Sequence, residues 1–576
     1  MAQAVRSALM PSGYALGIRL APWMAIALLS LPVASGLVGV IAPAFGWLPV
    51  LGGDTLTLTH WQALLEKPGL GRMVQLSYVT GLASAGLSLG IVVLFLGAFM
   101  HTRLFSTMRR LLSPLLAVPH AAAAIGLAFL LSPSGLLSRA LSPWMTGWQH
   151  PPDILFPGDP HGLALITGLV LKEVPFLLLM SLAALPQCHA SERLRVARAL
   201  GYGPLSAFLK AVLPGLYPLL RLPVYAVIAF ASSTVDVALI LGPTTPPPLS
   251  VAVLRWLNDP DLSMRFMASA GALLQLGVTL AALATWWLIE CLLRRLTHTW
   301  LESGRRNSGD AVFGGIALSA ISLSLLLIVG SLIGLVLWSL AAYWPFPQAL
   351  PQPLTLRNWT GAAGSLGDPL TQAAMIGIIA TLLSLVLVVG ALEAETLHER
   401  PTRPWAQFIL YLPLLVPPVA FLFGLVLMQV QTGVPPGTAV VILGHAVFVL
   451  PYVFLSLAES YRRLDPRWTH LARCLGASPA QVFWRVRLPM LSVPLLTAAA
   501  VGFAVSIGQY LPTLLLGAGR VSTITTEAVS LASGGDRRLT AVYALLQLAL
   551  PALGFALALG LPRLVFRRRS GLLISS

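Results

Sequence analysis

Long apolar runs dominate this 576-residue sequence and constrain its fold more than any other feature. A helix that crosses a bilayer needs about 20 consecutive, largely apolar residues. Only 10% of the residues are charged, whereas a soluble globular domain carries about 25%. We therefore predict an all-α polytopic membrane protein with about 12 transmembrane helices, near residues 22–45, 75–100, 112–132, 161–185, 217–241, 266–291, 313–342, 371–395, 406–430, 437–459, 492–517 and 539–562.

The basic residues are distributed unevenly among the segments that connect these runs. If the N-terminus is cytoplasmic, 25 of the 36 Lys and Arg residues fall on the cytoplasmic side and 9 on the opposite side. Cytoplasmic loops of membrane proteins are enriched in Lys and Arg. This predicts that both termini are cytoplasmic. It also explains the net charge of +16 by orientation in a lipid bilayer, so that no nucleic-acid partner is required.

The chain divides into two similar halves at the polar segment LTHTWLESGRRNSGDA, residues 296–311. Similar stretches recur in the same order on both sides of it; ALLQL, for example, begins at Ala272 and again at Ala544. Each half contains an even number of spans, so both enter the membrane in the same sense, as parallel repeats do. We predict a first six-helix domain at 1–295, a cytoplasmic linker at 296–311 and a second six-helix domain at 312–576.

One polar, basic passage is written twice. ARALGYGPLSAFLKAVLP (197–214) and ARCLGASPAQVFWRVRLP (472–489) share eight of 18 residues, and each follows the fourth span of its half. Gly201 and Gly476 suit the end of a short helix, and the following prolines suit the start of a second. An apolar stripe at helical spacing is predicted in the first short helix of each copy, formed by Leu194, Ala197 and Leu200 and by Leu471, Ala472 and Leu475. Each second helix is expected to stop near the Leu-Pro pair. A hairpin that lies on anionic lipid is the alternative, but the repeated spacing favours a docking surface for a paired cytoplasmic partner.

These two passages resemble a motif of the membrane subunits (permeases) of binding-protein-dependent ABC importers. That family carries E-A-A, three residues and G, followed later by L-P, and ARALG, ARCLG and the two L-P pairs match its core. The doubled six-span unit is similar to the fused permeases of iron(III) and thiamine importers. The resemblance implies a MetI-like permease fold in the bacterial inner membrane, two copies of a cytoplasmic ABC ATPase as partners and a periplasmic solute-binding protein.

In that family the repeated passage forms the helix that couples the permease to its ATPase. The family's glutamate, six residues before the glycine, is absent here: Arg195 and His470 occupy those positions. Docking is then expected to rely on shape, apolar residues and other charges. The residues assigned to the ATPase-docking loops are Glu192, Arg195, Ala197, Leu200, Gly201, Leu213, Pro214, Asp465, His470, Ala472, Leu475, Gly476, Leu488 and Pro489.

The sequence provides little support for an enzyme. No G-x-x-x-x-G-K-[ST] segment is present, so the chain lacks a phosphate-binding loop of the P-loop type. Its three cysteines have no metal-site spacing, and we expect no cofactor, no metal and no catalytic residue. If ATP drives transport, it is hydrolysed on a separate chain.

A gradient-driven secondary transporter with 12 helices is the alternative, because parallel repeats also occur in that class. It would need ionisable residues deep in the membrane, and Lys172, Glu173 and Asp236 are the candidates. Asp236 is a possible partner of Lys172, and Gln509 takes the position of Asp236 in the second half. We assign Lys172, Asp236 and Gln509 as possible residues of the translocation path. Iron, thiamine, a polyamine or an oxyanion are all compatible solutes.

Overall fold

The computed structural model describes residues 12–112, 117–306, 309–398 and 404–565, and in these ranges the regular structure is helical apart from two isolated β-bridges. Ten of its helices are long and apolar enough to cross a membrane, and two bent helix pairs raise the number to twelve if each pair is one span. The prediction of about 12 transmembrane helices is confirmed. Arg6, the basic residues at 567–569 and residues 307–308 of the predicted linker lie outside the described residues.

The helices follow the chain in two series. The first series is α1 (Ser12–Ala44), α2 (Thr59–Leu65), α3 (Leu70–Phe99), α4 (Arg103–Leu112), α5 (His120–Leu131), α6 (Leu136–Leu141), α7 (Leu163–Ala184), α8 (Ala190–Ala199), α9 (Pro204–Ala207), α10 (Leu213–Ser233), α11 (Asp236–Leu241), α12 (Leu249–Leu257) and α13 (Met264–Glu302). The second series is α14 (Asp310–Leu340), α15 (Arg357–His398), α16 (Pro404–Leu415), α17 (Pro418–Thr432), α18 (Thr438–Arg462), α19 (Pro466–Cys474), α20 (Pro479–Val482), α21 (Leu488–Met490), α22 (Ser492–Ile507), α23 (Leu511–Gly517), α24 (Ile524–Ser533) and α25 (Arg537–Val565).

The fifth and eleventh spans are broken inside the membrane region, which corrects the continuous runs predicted at 217–241 and 492–517. In the first half α10 ends at Ser233 and α11 begins at Asp236; in the second half α22 ends at Ile507 and α23 begins at Leu511. Non-helical backbone at this depth is tolerated only where its polar groups are satisfied within the protein. The sequence stays apolar through both breaks, so hydropathy alone gives no sign of them.

Equivalent side chains satisfy the backbone at the two breaks. Ser250 of α12 donates its hydroxyl hydrogen to the Thr234 carbonyl at 2.9 Å, and Thr525 of α24 donates to the Ile507 carbonyl. A glutamine of the last span supports each site: Gln275 donates to the Ser232 carbonyl at 3.0 Å, and the Gln547 amide lies 2.9 Å from the Thr525 hydroxyl. These equivalent hydrogen bonds at matching positions of the two halves support a duplicated unit.

The first helix of each half packs on the other half. Helix α1 lies against α15, α16 and α17, while α14 lies against α3 and α5. Close approach at the α1–α17 crossing depends on glycine, because a Cβ added at Gly36, Gly39 or Gly424 would overlap the backbone of the opposing helix. Small residues permit this kind of crossing between membrane helices. The largest apolar core accordingly joins both halves, from Val33 and Phe95 to Phe421 and Leu516.

One boundary prediction is wrong, and one helix extends into the predicted linker. Helix α13 continues to Glu302, so the first part of the linker 296–311 is helical. The second helix of the first repeated passage does not stop at Leu213-Pro214; it runs through a π-helical turn, Phe208–Val212, into α10. Pro214 has no N–H to donate, and the wider π-helical turn accommodates the missing hydrogen bond without ending the helix. In the second passage the helix bends by 72° between Met490 and Ser492, just beyond Pro489.

Candidate functional site

The first repeated passage forms a helical hairpin of α8 and α9 (190–207), which we call the first hairpin. Gly201 takes a left-handed φ of +85° and ends α8, and the Tyr202 N–H closes the turn on the Ala197 carbonyl at 3.2 Å. Leu194 and Ala197 are buried against the bundle, whereas Leu200 is 59% exposed. The predicted apolar stripe is therefore split between an inner and an outer face.

The second hairpin, α19 and α20 (466–482), repeats this geometry. Gly476 has φ +83°, and the Ala477 N–H closes the turn on the Ala472 carbonyl at 3.0 Å. Asp465 caps α19 by accepting a hydrogen bond from the Arg467 N–H at 2.9 Å, which is a structural use of that acid. Leu475 is 80% exposed, so the side chain at the position that matches Leu200 is exposed in this hairpin as well.

Each exposed face carries one further apolar residue; the sequence analysis included Leu471 in the predicted stripe but missed Val196. Val196 is 62% exposed and Leu471 is 55% exposed, and each precedes its exposed partner, Leu200 or Leu475, by four residues. Residues four apart lie on the same side of a helix. Each hairpin thus presents one apolar pair at the same position, and the i, i+4 spacing was the signal that could have identified it. Glu192, Arg195 and His470 are also exposed, around these pairs.

The segment between the halves holds the first hairpin in place. The Gly203 N–H donates to the Arg306 carbonyl at 2.9 Å, and the Leu205 N–H donates to the carboxylate of Asp310, at the start of α14, at 3.2 Å. The Lys210 ammonium lies 4.8 Å from the ring centroid of Trp300 near the end of α13. Because α14 begins the second half, this hairpin contacts the first span of the opposite half.

We expect valine at Gly201 and Gly476 to open the hairpin turns. A β-branched residue with positive φ is strained by about 1–3 kcal/mol, so amide protection in the turns should fall by about 5- to 150-fold. Hydrogen exchange of residues 197–207 and 472–482 measures this. Gly304→Val is the matched control, because Gly304 has no positive φ and open space where its Cβ would lie. Unchanged protection in the hairpin variants would contradict the assigned role of the turns.

The predicted residues of the fourth span lie in the middle of the bundle. Lys172 and Glu173 on α7 are both buried. The Lys172 ammonium donates to the Val118 carbonyl at 2.5 Å, and the Glu173 carboxylate lies 3.5 Å from His120 Nε2. Both side chains therefore engage the start of α5, the helix that contacts the opposite half through α14.

Asp236 and Gln509 lie at the two helix breaks. Asp236 is half-buried and accepts a hydrogen bond from the Thr234 hydroxyl at 3.0 Å. The suggested pairing of Asp236 with Lys172 is replaced by these separate contacts with Thr234 and Val118. The Gln509 amide donates to the His445 carbonyl at 3.2 Å, and its Oε1 is buried without a hydrogen-bond partner among the described residues. In the described ranges no group of three or more His, Cys, Asp or Glu residues could hold a metal ion.

Comparison with known proteins identifies the family. A family model described as "Binding-protein-dependent transport system inner membrane component" matches residues 387–568, which include the second hairpin. The chain is 32% identical over 550 residues to "Inner membrane ABC transporter permease protein YnjC" of Escherichia coli (strain K12), covering 96% of this chain and 97% of that relative. The chain belongs to the ABC transporter permeases. The permease is therefore a multi-pass inner membrane protein with the MetI-like fold that its repeated passages implied.

Two shorter relatives carry the same subunit name. The permease is 28% identical over 221 residues to "Putative 2-aminoethylphosphonate transport system permease protein PhnV" of Salmonella typhimurium, covering 38% of this chain and 82% of that one. It is 29% identical over 166 residues to "Molybdenum transport system permease protein ModB" of Mycobacterium tuberculosis, covering 27% and 61%. These relatives are transport subunits of ABC importers, so the prediction of that function is confirmed and the gradient-driven carrier is not supported.

Proposed function

We propose that the permease forms one solute pathway between its halves and is driven by two copies of a cytoplasmic ATPase, one on each hairpin. Both termini and both hairpins are then cytoplasmic, and a periplasmic binding protein delivers the solute to the opposite face. The two six-helix domains, 1–295 and 312–576, form the two sides of the pathway. The observation that carries this proposal is the exposed apolar pair at the same position of each hairpin.

Exposed apolar pairs on water-facing hairpins favour a protein partner. Burial of a Val or Leu side chain contributes about 1.5–3 kcal/mol relative to leaving it exposed. Val196 with Leu200, and Leu471 with Leu475, would each fill one apolar recess of the partner. Because the two pairs are equivalent, a symmetric ATPase dimer can use the same recess twice.

Apolar docking also accommodates the missing family glutamate. Arg195 and His470 replace that carboxylate and are exposed next to the apolar pairs. An interface between the permease and the ATPase that relies on apolar contacts and basic residues needs no acidic residue at this position of the permease. We infer that the recess of the ATPase is apolar and that its rim is acidic.

In the proposed cycle the two hairpins transmit movement of the ATPase to the helical bundle. When the ATPase dimer closes on ATP, the hairpins approach each other and the pathway turns outward; release of hydrolysis products returns it inward. Lys172, Asp236 and Gln509 lie along the inner helices of the pathway in this proposal. The broken spans α10–α11 and α22–α23 provide the points at which its wall can change shape.

Reconstitution in vesicles tests the proposal. With the cognate ATPase and binding protein, uptake should require ATP on the side of the hairpins and stop with a non-hydrolysable analogue. A membrane-impermeant thiol reagent applied from the ATP side should label the exposed Cys474 of α19. Uptake by the permease alone with only an ion gradient, or labelling of Cys474 from the opposite side, would overturn the proposal.

A further inference from the structure

A buried carboxylate connects four segments near the cytoplasmic end of α15. Glu393 is 2% exposed, and three side chains converge on it. The Tyr14 hydroxyl of α1 donates to Oε1 at 3.0 Å, the Tyr461 hydroxyl of α18 donates to Oε2, and Arg487 Nη1 lies 2.8 Å from Oε1 and 2.7 Å from Oε2. Glu393 therefore joins one span of the first half to two spans of the second and to the π-helical turn Phe483–Arg487.

Arg487 continues this connection into the second hairpin. Its Nε and Nη2 atoms lie 3.3 Å and 3.2 Å from the hydroxyl oxygen of Thr469, on the inner side of α19. Arg487 and Thr469 are both buried. A continuous series of hydrogen bonds, some of them between charged groups, thus connects α19 to α1. The ring of Phe483 in the same turn also lies 5.8 Å from that of Tyr14, which gives a second contact with α1.

Among the described residues, the first half has no equivalent buried ion pair beneath its hairpin, which is held instead by hydrogen bonds to Arg306 and Asp310 and by apolar packing. At the positions that match Arg487 and Thr469, it has Val212 and Leu194, which are both buried in the apolar core. Apolar contacts have no preferred direction, so packed side chains can slide past one another. Hydrogen bonds to charged groups are directional and strong, and separating a buried ion pair is strongly unfavourable. The two hairpins are therefore attached to the bundle in different ways.

We propose that Glu393, Arg487 and Thr469 are positioning residues that transmit movement of the second hairpin to α1, α15 and α18. This rests on the proposed function, because the movement originates in the ATPase. Displacement of α19 draws Arg487 and Glu393 with it, and Tyr14 carries the displacement to the first span of the other half. The second hairpin therefore moves with a buried ion pair, whereas the first hairpin is held by the segment between the halves and by apolar packing.

Thr469→Val isolates this link, because it removes the hydroxyl, preserves the side-chain shape and leaves the Glu393–Arg487 ion pair intact. In the reconstituted transporter we expect ATPase binding and hydrolysis to stay within about twofold of the wild type, while solute moved per ATP hydrolysed falls at least about fivefold. Thr469→Ser retains the hydroxyl and should restore the ratio.

Glu395→Gln is the matched control. Glu395 lies on α15 two residues beyond Glu393 and pairs with Arg462 of α18 at 3.1 Å, so its loss weakens a contact between the same helices without reaching the second hairpin. The ratio should be unchanged. Glu393→Gln should lower the ratio as Thr469→Val does; if that variant does not fold, the two Thr469 variants still decide the question.

A measurement on the isolated permease separates failure of this inference from failure of the proposed function. Spin labels on Cys474 and on Leu16→Cys, in a Cys291→Ser background, report the distance between α19 and α1 without any ATPase. The wild type should give one narrow distribution, Thr469→Val a broad one and Thr469→Ser a narrow one. A narrow distribution and an unchanged transport ratio in Thr469→Val would overturn the inference. Absence of ATP-driven uptake in the wild type would instead refute the proposed function, and the spin-label distances would still test the link.

Discussion

Replacing Leu200 and Leu475 with aspartate is expected to abolish association with the ATPase and reduce ATP-driven uptake to background. Both side chains are exposed, so the substitutions leave the fold of the permease intact. In the docked complex each aspartate would lie in an apolar recess, and burial of an uncompensated carboxylate costs several kcal/mol. A cost of about 3 kcal/mol at each site weakens binding more than 100-fold per site. Co-purification and the Kd for the ATPase measure the effect.

The controls separate docking from a general effect of added charge. Leu56 and Leu58 are 76% and 60% exposed, and these exposed fractions are similar to those of Leu475 and Leu200. In the proposed orientation Leu56 and Leu58 lie on the side of the membrane opposite to the hairpins. Leu56→Asp with Leu58→Asp adds the same charge and should leave ATPase binding unchanged. Alanine at Leu200 and Leu475 should weaken binding by a smaller factor, because it removes apolar area without burying a charge. Full ATPase binding by the aspartate double variant would show that the exposed pairs are not the docking surface.

Local sequence signals were sufficient for the spans and for the turns of the hairpins. A run of about 20 apolar residues has few options other than a membrane helix, so the twelve positions could be read directly. Gly201 and Gly476 both have the positive φ that their place after a short helix predicts, because glycine adopts that conformation without strain. The family resemblance of the hairpins depended on the same few residues, and the comparison with known permeases confirms it.

Contacts between distant segments were not accessible from the sequence. Glu393 and Arg487 are 94 positions apart, and the local sequence around each resembles that of any charged residue at the end of a span. Ser250 and Thr525 stabilise breaks that lie 16 and 18 residues earlier in the chain, so an apolar run alone cannot reveal the breaks. The packing of the first span of each half on the opposite half could not be predicted from hydrophobic periodicity either, because α1 and α14 are apolar on nearly all sides.

The second large effect is expected at the crossing of α1 and α17. Gly424→Ala should destabilise the permease by about 3 kcal/mol, at the upper end for an overpacked core. The added methyl group would overlap the Gly36 carbonyl. This carbonyl is part of a helical backbone, so it cannot move aside by a side-chain rotation. The helices must then separate along their whole contact, since Gly36 and Gly39 meet the backbone of α17 in the same way.

Thermal unfolding in detergent, followed by size-exclusion chromatography, measures this destabilisation, with Gly90→Ala of α3 as the control. Gly90 also lies within a membrane helix, but no atom lies within 4 Å of the position that its Cβ would take, so alanine there should be neutral or slightly stabilising. Equal melting temperatures for the two variants would contradict the close crossing. If Gly424→Ala is the less stable, a transport defect should accompany it at temperatures where the protein remains folded. Helix α1 would then be displaced from the second half, and Tyr14 could no longer reach Glu393.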